Sequence, residues 1–367
     1  MRLGFLVNPI AGMGGPLALK GTDGACALRK AEASGRERTS PARGLRAVRR
    51  LAVSHSSLEI LCASGDMGDS ELREAGIEHR VVYTAQHAST TRDDTMACVR
   101  VFVENKVELI LFAGGDGTAR DILEIVGTSI PLVGVPSGVK MHSSVFANSP
   151  EEAADLVVSF ERTGLTREGE VMDVDEDVFR EGVVSTRLFG TAAVPDDPEH
   201  LQPSKQSYSS GSAQDEAAEI GEHVAGTMEP GVLYIIGPGS TTACIARALG
   251  QRKTLLGVDV YLDGRLLEED TDEKALLEAL PRSDAAKVVV TPIGAQGFIF
   301  GRGNQQISHE VVRRVGAANL VIVATPTKLR HTPVLRVDTG DPELDAELRG
   351  TAKVTTGYRR RKLVRVL

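Results

Sequence analysis

One carboxylate in this chain stands among glycines, in the string Gly114-Gly115-Asp116-Gly117-Thr118. Glycines reach backbone angles closed to other residues, which lets free N–H groups turn toward a bound anion. A helix start after them adds the positive end of its dipole, and Thr118 adds a hydroxyl. That combination suits a phosphate. Asp116 is the anomaly, because its charge repels a phosphate unless it handles the proton of an attacking hydroxyl or reaches a metal ion through water. The plainer reading is a tight strand-to-helix turn with a solvated aspartate. Five such residues after an apolar run are far more specific than a glycine pair.

Other turns carry polar groups that could share the same edge. Residues 3–7 read as a buried strand ending in Asn8-Pro9 and then Gly12, Gly14 and Gly15. The turn matches neither G-x-x-x-x-G-K-[ST] nor G-x-G-x-x-G. It fits a long first loop or, with Asn8, a wall of the crevice where parallel strands end. Lys20 and Asp23 follow in a charged loop, either a surface turn or part of that wall. After the strand at 130–135 come Lys140 and His142, both able to reach a phosphate. Farther on, Gly237-Pro238-Gly239 leads into Ser240, Thr241 and Thr242, a second glycine turn lined with hydroxyls that suit a nucleotide phosphate or ribose.

Positioning these groups needs strands and helices. Residues 107–112 form a nearly continuous apolar run, as expected of a strand covered on both faces. Ile122, Leu123, Ile125 and Val126 give the next helix its apolar face; Thr118 reads as its cap, with Asp121 three residues on as in a capping box. Helices read at 41–52, 93–104 and 150–160, and strands at 57–62 and 78–83. This alternation predicts an open, mostly parallel sheet. Beyond 163 the pattern becomes strand-rich: 170–179, 183–194, 232–236, 255–261, 265–267, 287–293, 298–300, 320–324, 334–337 and 353–367, with helices at 216–228 and 243–249, the latter capped by Ser240 or Thr241. Asp263-Gly264 signals a hairpin. The polar stretch 195–215, with Lys205, reads as a mobile loop.

The expected class is α/β, with an N-terminal open parallel-sheet (Rossmann-like) domain at 1–163 and a second mixed, strand-rich domain at 164–340. Residues 341–367 read as a helix and strand able to return to the first domain.

Across 367 residues, 41% are hydrophobic and 25% charged, ordinary for a globular chain, and with 4% aromatics and no Trp the packing must be aliphatic. A formal charge of −8 argues against a general nucleic-acid binder, and the basic run Arg359-Arg360-Arg361-Lys362 reads as a solvated strand edge. The four cysteines, Cys26, Cys62, Cys98 and Cys244, are too widely spaced for a zinc site and suggest a reduced, cytoplasmic setting. No apolar segment approaches the about 20 residues needed to span a bilayer.

The string GGDGT resembles the signature of the NAD kinase superfamily. Tyr234 to Cys244, YIIGPGSTTAC, resembles the family's hydroxyl-rich second motif, and VVTPI at 289–293 its later strand. The strings LKGTDG, FAGGDGTARD, SGVKMHS, LGVD and TPIGAQGFIFGRGNQQIS are similar to an ATP-NAD kinase-like subgroup with relatives linked to acetoin catabolism, and they span nearly the whole chain. The resemblance implies a two-domain fold with its active site in the interdomain cleft, and phosphoryl transfer from ATP or polyphosphate with Mg²⁺ to the 2′-hydroxyl of the adenosine ribose of NAD. It also implies a homo-oligomer. Asp116 becomes the catalytic residue. Asn8, Lys20, Asp23, Gly114, Gly115, Gly117, Thr118, Lys140, Gly239, Ser240, Thr241 and Thr242 become nucleotide contacts. No direct protein ligand to the metal is assigned.

Two departures concern the acceptor. The chain has no Asn-Glu dipeptide, which in the family grips that ribose, and Pro136-Ser137-Gly138-Val139-Lys140 replaces an Asn-rich turn. Asp259 and Asn304, with Gln296 and Gln305, are the polar candidates to hold the acceptor instead. A kinase of another metabolite alcohol and a non-catalytic nucleotide-binding regulator are the alternatives.

Overall fold

The apolar runs become the strands of two main sheets. The structure, a computed structural model, describes residues 1–18, 38–54, 57–85, 90–138, 141–174, 186–198, 200–202, 211–293 and 296–367. The chain divides into two units, Met1–Gly14 with Lys20–Ser204, and Gly15–Leu19 with Lys205–Leu367.

Among the described residues, the first unit has five parallel strands: β1 (Arg2–Val7), β2 (Glu59–Ala63), β3 (Arg80–Tyr83), β4 (Leu109–Gly114) and β5 (Leu132–Pro136), ordered β3-β2-β1-β4-β5. Its helices are α1 (Thr39–Val53), α2 (Asp69–Glu74), α3 (Arg92–Glu104), α4 (Asp116–Val126) and α5 (Pro150–Thr163). Successive residues of a strand point to opposite faces. Gly4 thus lies under the Phe102 ring of α3, while Phe5 and Val7 meet Gly44 of α1. With helices on both faces, Leu109 through Phe112 are fully buried, as their uninterrupted apolar run requires. The order reverses at β1: β2 and β3 lie on one side, β4 and β5 on the other. Ligands of open parallel sheets bind at such a switch point, outside the strands' carboxyl ends.

The hairpin of β6 (Thr166–Val174) and β7 (Thr186–Pro195) groups with this first unit. The tie is local. Ser144 N–H donates to Glu170 O at 2.8 Å, and Ser144 Oγ accepts from Glu170 N–H at 2.8 Å. The hairpin is held by the turn after β5.

Among the described residues, the second unit carries eight strands: β8 (Val232–Ile236), β9 (Asp259–Leu262), β10 (Arg265–Glu268), β11 (Ala285–Val290), β12 (Leu320–Val323), β13 (Val334–Leu335), β14 (Gly350–Gly357) and β15 (Arg360–Val366). Their order is β10-β9-β8-β11-β12-β14-β15-β13. The centre, β8, β11, β12 and β14, is parallel, and β9–β10 and β14–β15 are hairpins. The helices are α6 (Gly211–Gly226), α7 (Ser240–Ala248), α8 (Glu273–Ala279), α9 (His309–Val315), α10 (Pro326–His331) and α11 (Pro342–Leu348).

Asp263-Gly264 closes β9–β10 with both φ angles positive, 51° and 73°, as a two-residue hairpin turn needs. Residues 353–367 are not one strand. The chain reverses at Tyr358-Arg359, with Arg359 at φ 55°, and the resulting pair lies in the second unit's sheet instead of returning to the first. Of residues 298–300, read as a strand, only Phe298 forms bridges, and these are isolated. Residues 203–210 of the polar loop, including Lys205, lie outside the described residues.

Candidate active site

Three strand exits of the first unit meet at the β1–β4 switch. Asn8 N–H donates to Ala113 O at 2.9 Å, and Ser137 N–H to Gly114 O at 3.0 Å. The turns after β1, β4 and β5 are thus joined by backbone hydrogen bonds. Asn8 adds a side-chain tie, its Nδ2 donating to Thr118 Oγ1 at 2.9 Å. That bond corrects the reading of Thr118 as a cap. Helix α4 begins two residues earlier, at Asp116, with Gly115 at the N-cap position. Thr118 folds back over the turn, where a Cβ on Gly114 would stand only 2.6 Å from its Oγ1. Gly114 therefore has no room for a side chain. Asp121, the other half of the expected capping box, pairs instead with Arg92 Nε at 2.7 Å. Burial pushes its carboxyl above the usual range, and Arg92 opposes that shift.

Asp116 is buried at the first turn of α4 and points into the turn after β5. Its Oδ2 accepts from His142 N–H at 2.7 Å; its Oδ1 accepts from Ser143 N–H at 3.0 Å and Ser143 Oγ at 2.5 Å. Three donors on an acceptor-only group suit the ionised carboxylate. The side chain is held by a neighbouring loop and is no solvated turn residue. His142 contributes through its backbone, a role its side-chain type does not reveal. Gly117 is exposed at the mouth of the turn. Lys20, Asp23 and Lys140 lie outside the described residues.

In the second unit, Gly237-Pro238-Gly239 follows β8 at the carboxyl edge of its parallel strands. Gly239 has φ 129°, and a Cβ there would meet Thr291 Cγ2 at 2.7 Å, so this residue must be glycine. Helix α7 starts at Ser240 after Gly239, with no side-chain cap, which corrects the expected cap by Ser240 or Thr241. The three hydroxyls separate by environment. Ser240 is exposed, Thr241 is buried, and Thr242 Oγ1 donates to Gly237 O at 2.8 Å and Gly239 O at 2.9 Å. Thr242 therefore braces the turn.

Two acceptor candidates are buried and bonded within their own turns. Asp259 is fully buried and takes Lys253 Nζ at 3.2 Å, Thr254 N–H at 2.8 Å, Thr254 Oγ1 at 2.6 Å and Asp270 N–H at 2.8 Å. Its side chain organises the loop before β9. Asn304 is likewise inside: Oδ1 accepts from Gly301 N–H at 3.0 Å and Nδ2 donates to Ile299 O at 2.9 Å. Gln305 Nε2 donates to Gly301 O at 3.2 Å in the same turn, and Gln296 is buried.

Sequence reasoning passed over two residues. Ser143, in the string SGVKMHS, supplies two of the donors to Asp116. Lys328, after β12, donates from Nζ to Thr291 Oγ1 and to Pro292 O, both at 3.1 Å, which puts a cation beside the Thr-Pro turn after β11. A lysine just past a third parallel strand exit was its available signal.

The thiols offer no alternative chemistry among the described residues. Burial pushes Cys62 up to about 12 and raises Cys98 and Cys244, so none is a ready nucleophile. No group of three or more His, Cys, Asp or Glu among the described residues is arranged to hold a metal ion. No described helix is long and apolar enough to cross a membrane.

Comparison with known proteins divides the chain as its sheets do. The family model for the ATP-NAD kinase N-terminal domain matches residues 3–163, and that for the ATP-NAD kinase C-terminal domain matches residues 231–366. No curated protein matches. Among solved structures, the solute binding protein of an ABC transporter from Rhodopseudomonas palustris BisB5, in complex with 3,4-dihydroxy benzoic acid, is similar at 12% identity and TM-score 0.26. The match covers 90% of this chain and only 62% of that one, and so faint a likeness carries no argument.

Proposed function

Since this chain belongs to the NAD kinase superfamily and is an NAD kinase-like phosphotransferase, we propose that it transfers the γ-phosphoryl group of ATP to the 2′-hydroxyl of the adenosine ribose of NAD, giving NADP. The observation that carries this reading is the Asp116 carboxylate, buried at the start of α4 and aimed by three donors of the adjacent turn. The acceptor oxygen attacks the γ-phosphorus, the bond to the β–γ bridging oxygen breaks, and ADP leaves with that electron pair. The hydroxyl proton passes to Asp116. The transition state is loose, so holding the hydroxyl in line contributes more than early proton removal.

Gly114, Gly115, Gly117 and Thr118 present N–H and hydroxyl donors to phosphate oxygens, with Asn8 keeping Thr118 in place. Gly239, Ser240 and Thr241 are nucleotide contacts in this reading. Lys20, Asp23 and Lys140 are further nucleotide contacts in this reading. A magnesium ion fits this donor set only if the nucleotide supplies most of its ligands: the described part of the first site offers one carboxylate, reached through water, and Mg²⁺ commonly takes one or two carboxylates plus substrate phosphates. The ion's contribution is charge neutralisation on the phosphates. A homo-oligomer is the expected solution state, measurable by light scattering.

A second reading, transfer to a different metabolite alcohol, draws on the committed side chains of Asp259 and Asn304. Both side chains bond to neighbouring residues, and the chain has no Asn-Glu pair. Incubation with ATP, Mg²⁺ and a panel of alcohols headed by NAD, scored for ADP release, decides between them. Release with NAD alone supports the first reading. Release with another alcohol and none with NAD replaces it. No release with any acceptor leaves a nucleotide-binding regulator.

A further inference from the structure

Resting on the kinase reading of Asp116, we propose that Ser143 is a positioning residue for that carboxylate, through which the β6–β7 hairpin sets its aim. Ser143 is fully buried, and each of its polar groups has a partner. Its N–H and its hydroxyl both go to Asp116 Oδ1, at 3.0 and 2.5 Å. Its Oγ also accepts from Met172 N–H of β6 at 2.9 Å, and its carbonyl accepts from Gln202 Nε2 at 3.0 Å. One side of the residue therefore holds Asp116, and the other is anchored to the hairpin and the segment after it.

The direction of the hydroxyl follows from this anchoring. A serine hydroxyl rotates to suit its surroundings, with one hydrogen to give and two lone pairs. A backbone N–H can only donate, so the contact with Met172 makes Oγ an acceptor on that side. The hydrogen is then directed to Asp116. The short O–H···O⁻ bond is of the charge-assisted kind, among the stronger hydrogen bonds available. Asp116 itself has two side-chain torsions and sits at the first helical position, where the helix does not restrain it. The antiparallel hairpin supplies the rigidity that the glycine turn lacks. In-line attack tolerates little error in the group that meets the hydroxyl, so this restraint acts on the rate and not on nucleotide affinity.

The test is steady-state kinetics of the full chain with ATP, Mg²⁺ and the acceptor that gives ADP release. S143A is expected to lower kcat about 10- to 100-fold while both KM values stay within about twofold, the pattern of an interaction that matters in the transition state. The loss should shrink to less than about threefold in an Asp116→Asn background, because residues acting as a unit are not additive. S143C keeps the volume with a weaker donor and is expected to fall between wild type and S143A. Wild-type kcat in folded S143C, or an undiminished loss in the Asp116→Asn background, overturns the assignment. A rise in KM without a fall in kcat overturns it too. Absence of ADP release from the wild-type protein with every acceptor overturns the kinase reading and this assignment together.

Discussion

Two buried aspartates, one in each unit, show how similar burial serves different ends. Asp259 is fully buried at the start of β9 and is met by a lysine ammonium, two backbone N–H groups and a hydroxyl. Burial lowers the Lys253 ammonium and the Asp259 charge opposes that shift, so each ion justifies the other. Asp116 is buried at the mouth of a glycine turn and is held by two backbone N–H groups and a serine hydroxyl. The partners of Asp259 tie the segment before β9 to the turn after β10. Those of Asp116 aim it at a sheet edge where ligands bind. Asp259 is tied to a buried ammonium, and Asp116 takes three donors from the turn after β5 at a strand exit.

The sharpest break between them is in turnover. Asp116→Asn is expected to lower kcat about 10²- to 10⁴-fold, the range for loss of a positioned proton acceptor. The amide must set an NH₂ or a weaker acceptor against donors that now face a carboxylate, so the variant should also lose about 1–3 kcal/mol of stability and remain folded. Urea denaturation beside the kinetics measures both. Asp259→Ala should do the converse, costing about 3–5 kcal/mol by leaving Lys253 buried without its counter-charge, with the KM values of the folded fraction unmoved. A large rise in acceptor KM at full stability would return Asp259 to the binding site.

A third buried carboxyl sharpens the contrast. Glu71 of α2 has a buried Oε2 with no hydrogen-bond partner, and burial raises its carboxyl to about 8. The folded state therefore keeps a proton that the unfolded chain releases near 4.5. Stability contributed by this group is full below that lower value and falls as pH rises toward about 8, since the native state binds more protons across the window. Glu71→Gln should flatten that slope and gain on the order of 1–3 kcal/mol over wild type at the alkaline end. Urea midpoints across the window check it; an unchanged slope in the variant contradicts it. The smallest effect expected is that of Thr242→Val, about 1 kcal/mol of stability from two lost bonds to turn carbonyls, with no change in nucleotide KM. A tenfold rise in that KM would mean that the hydroxyl meets the ligand.

What the sequence disclosed follows the same division. Period and composition reveal which residues are buried, so β4, the parallel alternation and the Asp263-Gly264 hairpin were legible. The GGDGT string marked the position of Asp116. Its partners were not legible, because two are backbone N–H groups of residues 26 and 27 positions away, and any residue type supplies those. Thr118 was misread as a cap since a hydroxyl before an apolar stripe fits that role locally; only the neighbouring turn shows it bonded to Asn8. Asp259 and Asn304 follow glycine turns, which suits ligand groups, and their burial is not legible in the string. The break at Tyr358-Arg359 escaped because a non-glycine residue adopts the left-handed angle there.

Service of Asp116 in phosphoryl transfer to the ribose of NAD can be read from ³¹P NMR of NAD incubated with ATP, Mg²⁺ and the protein. A 2′-phosphomonoester resonance should grow in step with ADP for the wild-type chain and be essentially absent, over the same period, for Asp116→Asn. Equal growth with both proteins, or ADP formed while the NAD spectrum stays unchanged, would contradict it.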